Sequence, residues 1–126
     1  MSGEDSLKQI FDGYEGLHLR EGRNGPLHYP LHLTKSMNDT SIDALELGIR
    51  SYHCLKRAGI DTIGDLAEYV ASGRPLRNIR NCGAKSAREI MVNLFLYQYQ
   101  IIRPEKRDEY ILEVVAMNMK PGNTPE

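Results

Sequence analysis

The stretch from Ser41 to Asn93 leaves room for little but short helices. An apolar-striped segment from Ile49 to Ala58 ends at Gly59, well placed as a C-terminal cap. Three residues later Thr62-Ile63-Gly64-Asp65 forms a capping box, a hydroxyl at the N-cap and a carboxylate at N3, that starts a new helix. That helix carries Ile63, Leu66, Ala67 and Val70 at i, i+3, i+4, i+7, a buried stripe. Ala71-Ser72-Gly73 ends it, and Pro75 suits the first turn of a short helix over Leu76 to Ile79. Asn81-Cys82-Gly83 then leads into a last helix from Ala84, with Ala87, Ile90, Met91 and Leu94 as its apolar side. Three or four helices of this length, joined by tight turns, predict an all-α fold: a compact bundle of four to five short helices.

The turn at Asn81–Gly83 carries the chemistry. Gly83 permits close backbone approach or positive φ. A helix N-terminus offers unsatisfied N–H groups and partial positive charge, which attract anions. Lys85 and Ser86 add a charge and a hydroxyl at the same place. Short helix, glycine turn, helix is a helix-hairpin-helix arrangement, which grips a nucleic-acid backbone without reading bases. On the first helix Arg50, His53, Cys54 and Arg57 fall at i, i+3, i+4, i+7 and share one face, with Leu55 and Ala58 on a core face. Leu45, Leu47 and Ile49 alternate and are expected to pack inward ahead of it.

Charge agrees with a nucleic-acid-facing centre. All 126 residues together sum to −1, so no global field draws the molecule to DNA. Within Arg50–Arg88, however, eight basic residues stand against three acidic ones. Cys54 and Cys82 are the only cysteines, and no apolar run has the length of a membrane span. A cytoplasmic, reduced, nucleoid-associated setting is expected, with no membrane contact and with the cysteines unpaired. No metal ligand set, no nucleophile–base constellation and no G-x-x-x-x-G-K-[ST] motif is present, so neither an enzyme nor a bound metal or cofactor is expected. His28 and His32 lie four apart, but Pro30 between them breaks the helix that would align them.

The flanks are less specified. Residues 1–40 read as an N-terminal arm with a short helix over Ser6 to Tyr14. Leu27, Tyr29, Leu31 and Leu33 then alternate, suggesting a small hairpin or an extended strip lying on the core. Leu94 to Ile102 is apolar and aromatic and is expected to continue the helix to Gln100 beneath that arm. Pro104 marks a new start, and Tyr110, Ile111, Val114 and Val115 make one more helix to Asn118, expected to cap the core, followed by a tail. The domain division is thus 1–40, 41–102 and 103–126.

The segments L-E-L-G-I-R-S-Y-H-C-L-K-R-A-G-I-D-T-I-G-D-L and N-C-G-A-K-S-A-R-E-I resemble the C-terminal domain of the bacterial RNA polymerase alpha subunit, over about Ile42 to Leu94. The resemblance implies a compact helical bundle that binds the minor groove of A/T-rich DNA upstream of promoters and contacts activators and sigma factor. Residue by residue it implies that Arg50 enters the groove and that the Cys54 backbone lies near phosphate. It gives DNA-binding roles also to Asn81, Gly83, Lys85, Ser86 and Glu89, the last by orienting Arg50 or another basic side chain. His53 departs from the family's asparagine, and Cys82 stands where the family has leucine. A protonated His53 would strengthen binding at lower pH. The family's alpha subunit also needs a large assembly domain that 126 residues do not hold. A free-standing relative or an excised piece is therefore expected, the flanks pointing to the former, and it is expected to act either as a DNA-binding module or as an adaptor docking on RNA polymerase, sigma or a regulator.

Overall fold

A computed structural model describes residues 3–12, 29–32 and 34–118. Its elements are all helical: α1 (Gly3–Asp12), α2 (Lys35–Asn38), α3 (Ile49–Arg57), α4 (Ile63–Ala71), α5 (Ala84–Ile101) and α6 (Arg107–Asn118). Short 3₁₀ turns at Ile42–Leu45, Leu76–Asn78 and Pro104–Lys106 join them.

The capping box at α4 forms as expected: Asp65 N–H donates to Thr62 Oγ1 at 3.0 Å, and Thr62 N–H donates to Asp65 Oδ2 at 3.3 Å. Two donors that the helix start would leave orphaned are thereby satisfied. Just before this box two backbone segments cross. Ile42 N–H donates to Asp61 O and Ile63 N–H to Thr40 O, which pins the segment leading into α3 against the start of α4. Gly59 caps α3 with φ 81°, a conformation costly for any residue with a Cβ. Gly64 is needed for a different reason. A Cβ there would lie 3.1 Å from the Asn38 Cα, so its absence lets α2 seat on α4.

Leu55, Ile63, Leu66, Ile90, Leu94, Phe95 and Ile111 are fully buried and join α3, α4, α5 and α6 in one core. Each contributes about 1.5–3 kcal/mol of transfer free energy. α5 is the central post, and α1, α3 and the 3₁₀ turns at Ile42–Leu45 and Leu76–Asn78 lean on it. Beside it Phe95 stacks on Tyr110 at 5.8 Å, with the Tyr29 ring edge-on at 5.6 Å.

The N-terminal strip is held by polar contacts around a fully buried side chain, Gln98. Its Oε1 accepts from His32 N–H at 2.9 Å. Its Nε2 donates to Tyr110 Oη at 3.0 Å and to Pro30 O at 3.3 Å. Tyr110 Oη donates on to Pro30 O, and Tyr29 Oη to Met91 O at 2.7 Å. Tyr29–His32 thus lies along α5 and α6 as coil. The remainder of the suggested hairpin, at Leu27, His28 and Leu33, falls outside the described residues.

Several expectations need correction. Ile49 is 79 % exposed and does not pack inward, because the 3₁₀ turn at Ile42–Leu45 breaks the alternation that included it. Ala58 is exposed rather than on the core face, since α3 ends at Arg57. The N-terminal helix begins earlier than Ser6, at Gly3, and packs along α5. The α2 turn carries no expected signal, yet it buries Met37 completely.

Candidate nucleic-acid interface

The expected binding residues gather where α3 meets the bend before α5. Two polar ties hold them together. At the start of α3, the N-cap Gly48 has no side chain to cap the helix. Glu89, in the second turn of α5, supplies the acceptor instead: Gly48 N–H donates to Oε2 at 3.2 Å, and Ser51 Oγ donates to Oε1. One turn further along α3, the Cys54 thiol donates to Asn81 O at 3.0 Å, on the bend itself. Arg50 and His53 lie on α3 between these fastenings.

The Glu89 carboxylate thus contacts the start of α3 and not the Arg50 side chain. It caps α3, a favourable use of a carboxylate at the positive end of a helix. No signal in the sequence marks this pairing, since the partners are 41 residues apart. Ser51, 2 % exposed, is the residue that sequence reasoning missed.

The four residues expected on one face of α3 divide into two sets. Arg50, His53 and Arg57 are exposed, and Cys54 is buried beneath the bend. A one-turn spacing puts side chains on one side of a helix, but whether that side faces solvent depends on what packs there. Arg50, Arg57 and Lys85 make no hydrogen bond or ion pair among the described residues, whereas Lys56 is paired with Asp61 at 2.8 Å. The His53 ring sits edge-on to Tyr52 at 5.7 Å.

Of the two uses open to Gly83, close backbone approach or positive φ, the bend does not take the second. Asn81 takes the left-handed conformation, at φ 67°, and Gly83 does not, at φ −81°. Asparagine tolerates that region better than most residues. Gly83 is the N-cap of α5, with no side-chain cap bond, and a Cβ built there would meet nothing within 4 Å. Neither backbone nor packing demands a glycine, so the surface above Gly83 is open to whatever approaches from outside. Ala87 N–H returns to Gly83 O at 2.9 Å, and the amides ahead of it form the positive start of an 18-residue helix. Lys85 stands exposed beside them. Ser86 is buried, so its hydroxyl is less available than expected.

Under the bend, Cys82 is buried and not in a disulfide, as is Cys54. Burial pushes the Cys82 thiol up to about 11, and the adjacent Cys54 thiol adds to the shift. Among the described residues no cluster of three or more His, Cys, Asp or Glu side chains is arranged for a metal. No helix among them is long and apolar enough to cross a membrane.

Comparison with known proteins gives this arrangement a context. Residues 32–95 match the family model that describes the C-terminal domain of the bacterial RNA polymerase alpha subunit. That range runs from the N-terminal strip through both fastenings of α3. A DNA-directed RNA polymerase subunit alpha from Rubrobacter xylanophilus is 48 % identical over 64 residues, covering 51 % of this protein and 20 % of that one. Another from Mesostigma viride is 35 % identical over 85 residues, covering 68 % of this protein and 26 % of that one. The matched region thus spans about a quarter or less of the length of these relatives. No solved structure matches significantly. Half of the sequence, including every residue of the α3–bend–α5 surface, follows the family model, and this protein belongs to the family of bacterial RNA polymerase alpha C-terminal domains.

Proposed function

We propose that the protein serves transcription as a DNA-binding module that lays α3 and the bend at Asn81–Gly83 against the minor-groove side of an A/T-rich duplex. One observation carries the reading. Arg50, without an intramolecular partner among the described residues, stands on a helix that the Cys54–Asn81 hydrogen bond fastens to an open, amide-rich bend. A narrow A/T-rich groove concentrates negative potential and favours an inserted guanidinium. The first amides of α5 and the Lys85 ammonium would set register on phosphates, with Arg57 adding charge beside them. Asn81 shapes the bend, Gly83 keeps it open, and Glu89 holds α3 at the angle that presents Arg50. His53 lies at the groove edge. Its ring would add a positive charge when protonated.

A lone surface of this size engages few phosphates, so binding is weak and salt-sensitive. The test is titration of the whole protein with an A/T-rich duplex at low salt. Arg50→Ala is expected to abolish binding. Lys85→Ala should weaken binding to all sequences alike and lower the slope against log salt by about one. Absence of binding by the unmodified protein refutes the reading.

A second reading has one observation in its favour. Leu112 is 61 % exposed on α6, with Met117 and Ile101 also exposed. Docking on RNA polymerase, sigma or a regulator would use such apolar positions. The relatives are themselves RNA polymerase alpha subunits, and polymerase capture that survives Arg50→Ala but not Leu112→Asp would support this role.

A further inference from the structure

The two cysteines come from different elements and meet under the proposed DNA-facing bend. Cys54 belongs to α3, and Cys82 to the segment entering α5. They are 2 % and 4 % exposed. The Cys54 thiol donates at 3.0 Å to the carbonyl of Asn81, the peptide unit that leads directly into Cys82. The Cys82 backbone is in turn fixed by its N–H, which donates to Ile79 O at 3.0 Å. Cys54 thereby lies one peptide unit from Cys82, and its nearness adds to the burial that keeps Cys82 protonated.

We propose that Cys54 and Cys82 are a modification site: under oxidising conditions they close a reversible intramolecular disulfide that staples α3 to the bend and reshapes the surface at Asn81–Gly83. Glutathione disulfide suffices as oxidant. One protein thiolate attacks its S–S bond and releases a glutathione thiolate. The second protein thiolate then displaces the other glutathione. The protein loses two hydrogens, and one glutathione disulfide becomes two glutathiones. Burial holds the Cys82 thiolate fraction low at neutral pH, so reaction waits on a local opening of the bend and is slower than at an exposed thiol.

Closure requires the two Cβ atoms to come within about 3.5–4.5 Å, and it removes the donor from Asn81 O. The residue that turns the bend therefore loses its fastening while the start of α5 is drawn toward α3. This functional consequence rests on the DNA-binding reading above, whereas the disulfide chemistry does not.

The experiment incubates the whole protein across a series of glutathione disulfide to glutathione ratios, then quenches with acid and alkylates. Intact mass and peptide mapping report the thiols. Both are expected to disappear together, with the mass lower by two hydrogens and a single Cys54–Cys82 cross-linked peptide, all reversed by dithiothreitol. Cys82→Ala and Cys54→Ala should each abolish that species. A stable glutathione adduct on one cysteine, or thiols that stay reduced across the whole series until the protein is unfolded, overturns the site. Duplex binding should weaken about tenfold on oxidation, the scale of one lost charge-assisted contact, and should not change in Cys82→Ala under the same conditions. Equal affinity of the oxidised and reduced forms overturns the coupling to the surface. Absence of duplex binding by the reduced protein refutes the DNA-binding reading and with it the coupling, while the thiol count still decides the disulfide.

Discussion

Removing the Glu89 carboxylate tests the arrangement of the interface most directly. Its two oxygens hold Gly48 N–H and Ser51 Oγ, and nothing else on α3 can replace them, because the N-cap is glycine. Loss of a capping acceptor costs about 1 kcal/mol. Ser51 is almost fully buried, and a buried hydroxyl left without its partner costs about 1–2 kcal/mol more. Glu89→Ala is therefore expected to destabilise the fold by about 2–3 kcal/mol. At about 4 °C per kcal/mol for a domain of this size, the melting temperature should fall by roughly 8–12 °C. Glu89→Gln keeps an acceptor for Gly48 and gains an amide that can donate to Ser51. It loses only the charge at the helix start, worth about 0.3–1 kcal/mol, so roughly 1–4 °C. Ser51→Ala in the Glu89→Ala background should cost less than it does alone, since the two residues share one interaction. Thermal unfolding followed by circular dichroism measures all the variants, with duplex titration alongside. A Glu89→Ala melting point within about 2 °C of the unmodified protein would refute the cap. Loss of duplex binding by Glu89→Gln at unchanged stability would instead restore the role of orienting Arg50.

Three further expectations follow from the same geometry. Gly83→Ala should cost no more than about 1 kcal/mol, because its φ suits any residue and its Cβ would meet nothing, leaving only the preference of a helix N-cap for glycine over alanine. The same substitution should weaken duplex binding, and unchanged affinity would refute close approach of a phosphate at that amide. Gln98→Ala breaks three hydrogen bonds around a buried side chain and should cost about 2–4 kcal/mol. The shift would be read from the denaturant midpoint, and a loss below about 1 kcal/mol would show that the N-terminal strip is not anchored there. Cys82 titrates higher in the folded protein than its ordinary 9.0, at about 11. The stability this contributes is complete below about pH 9 and is lost as pH rises towards 11, amounting to at most about 2.7 kcal/mol. Cys82→Ala should flatten the stability profile over that window. Tyr29 and Tyr110, pushed up by burial, would still bring alkaline unfolding in both proteins, and superimposable profiles would refute the Cys82 assignment.

The legible parts of this protein are those specified by near neighbours in sequence. The α4 capping box, the Gly59 stop, the apolar stripes of α4 and α5 and the α6 helix after Pro104 all depend on residues within a turn or two of one another, and each formed as the sequence implies. The position of the candidate interface was legible too, because Arg50 and the Asn81–Gly83 bend both carry local chemical signals. Tertiary structure decided what those signals do. Whether a side chain on α3 meets solvent or protein depends on where α5 lies, so Cys54 is buried while Arg50, one turn away, is exposed. The Glu89 cap and the Gln98 anchor join residues 41 and 66 apart, and no periodicity encodes a partner at that distance. The left-handed turn fell to Asn81 and not to the nearby glycine, in a bend whose Asn81 carbonyl accepts from the Cys54 thiol on another helix. Local sequence chose the helices and the bend; long-range packing chose which of their polar groups remain available to a partner.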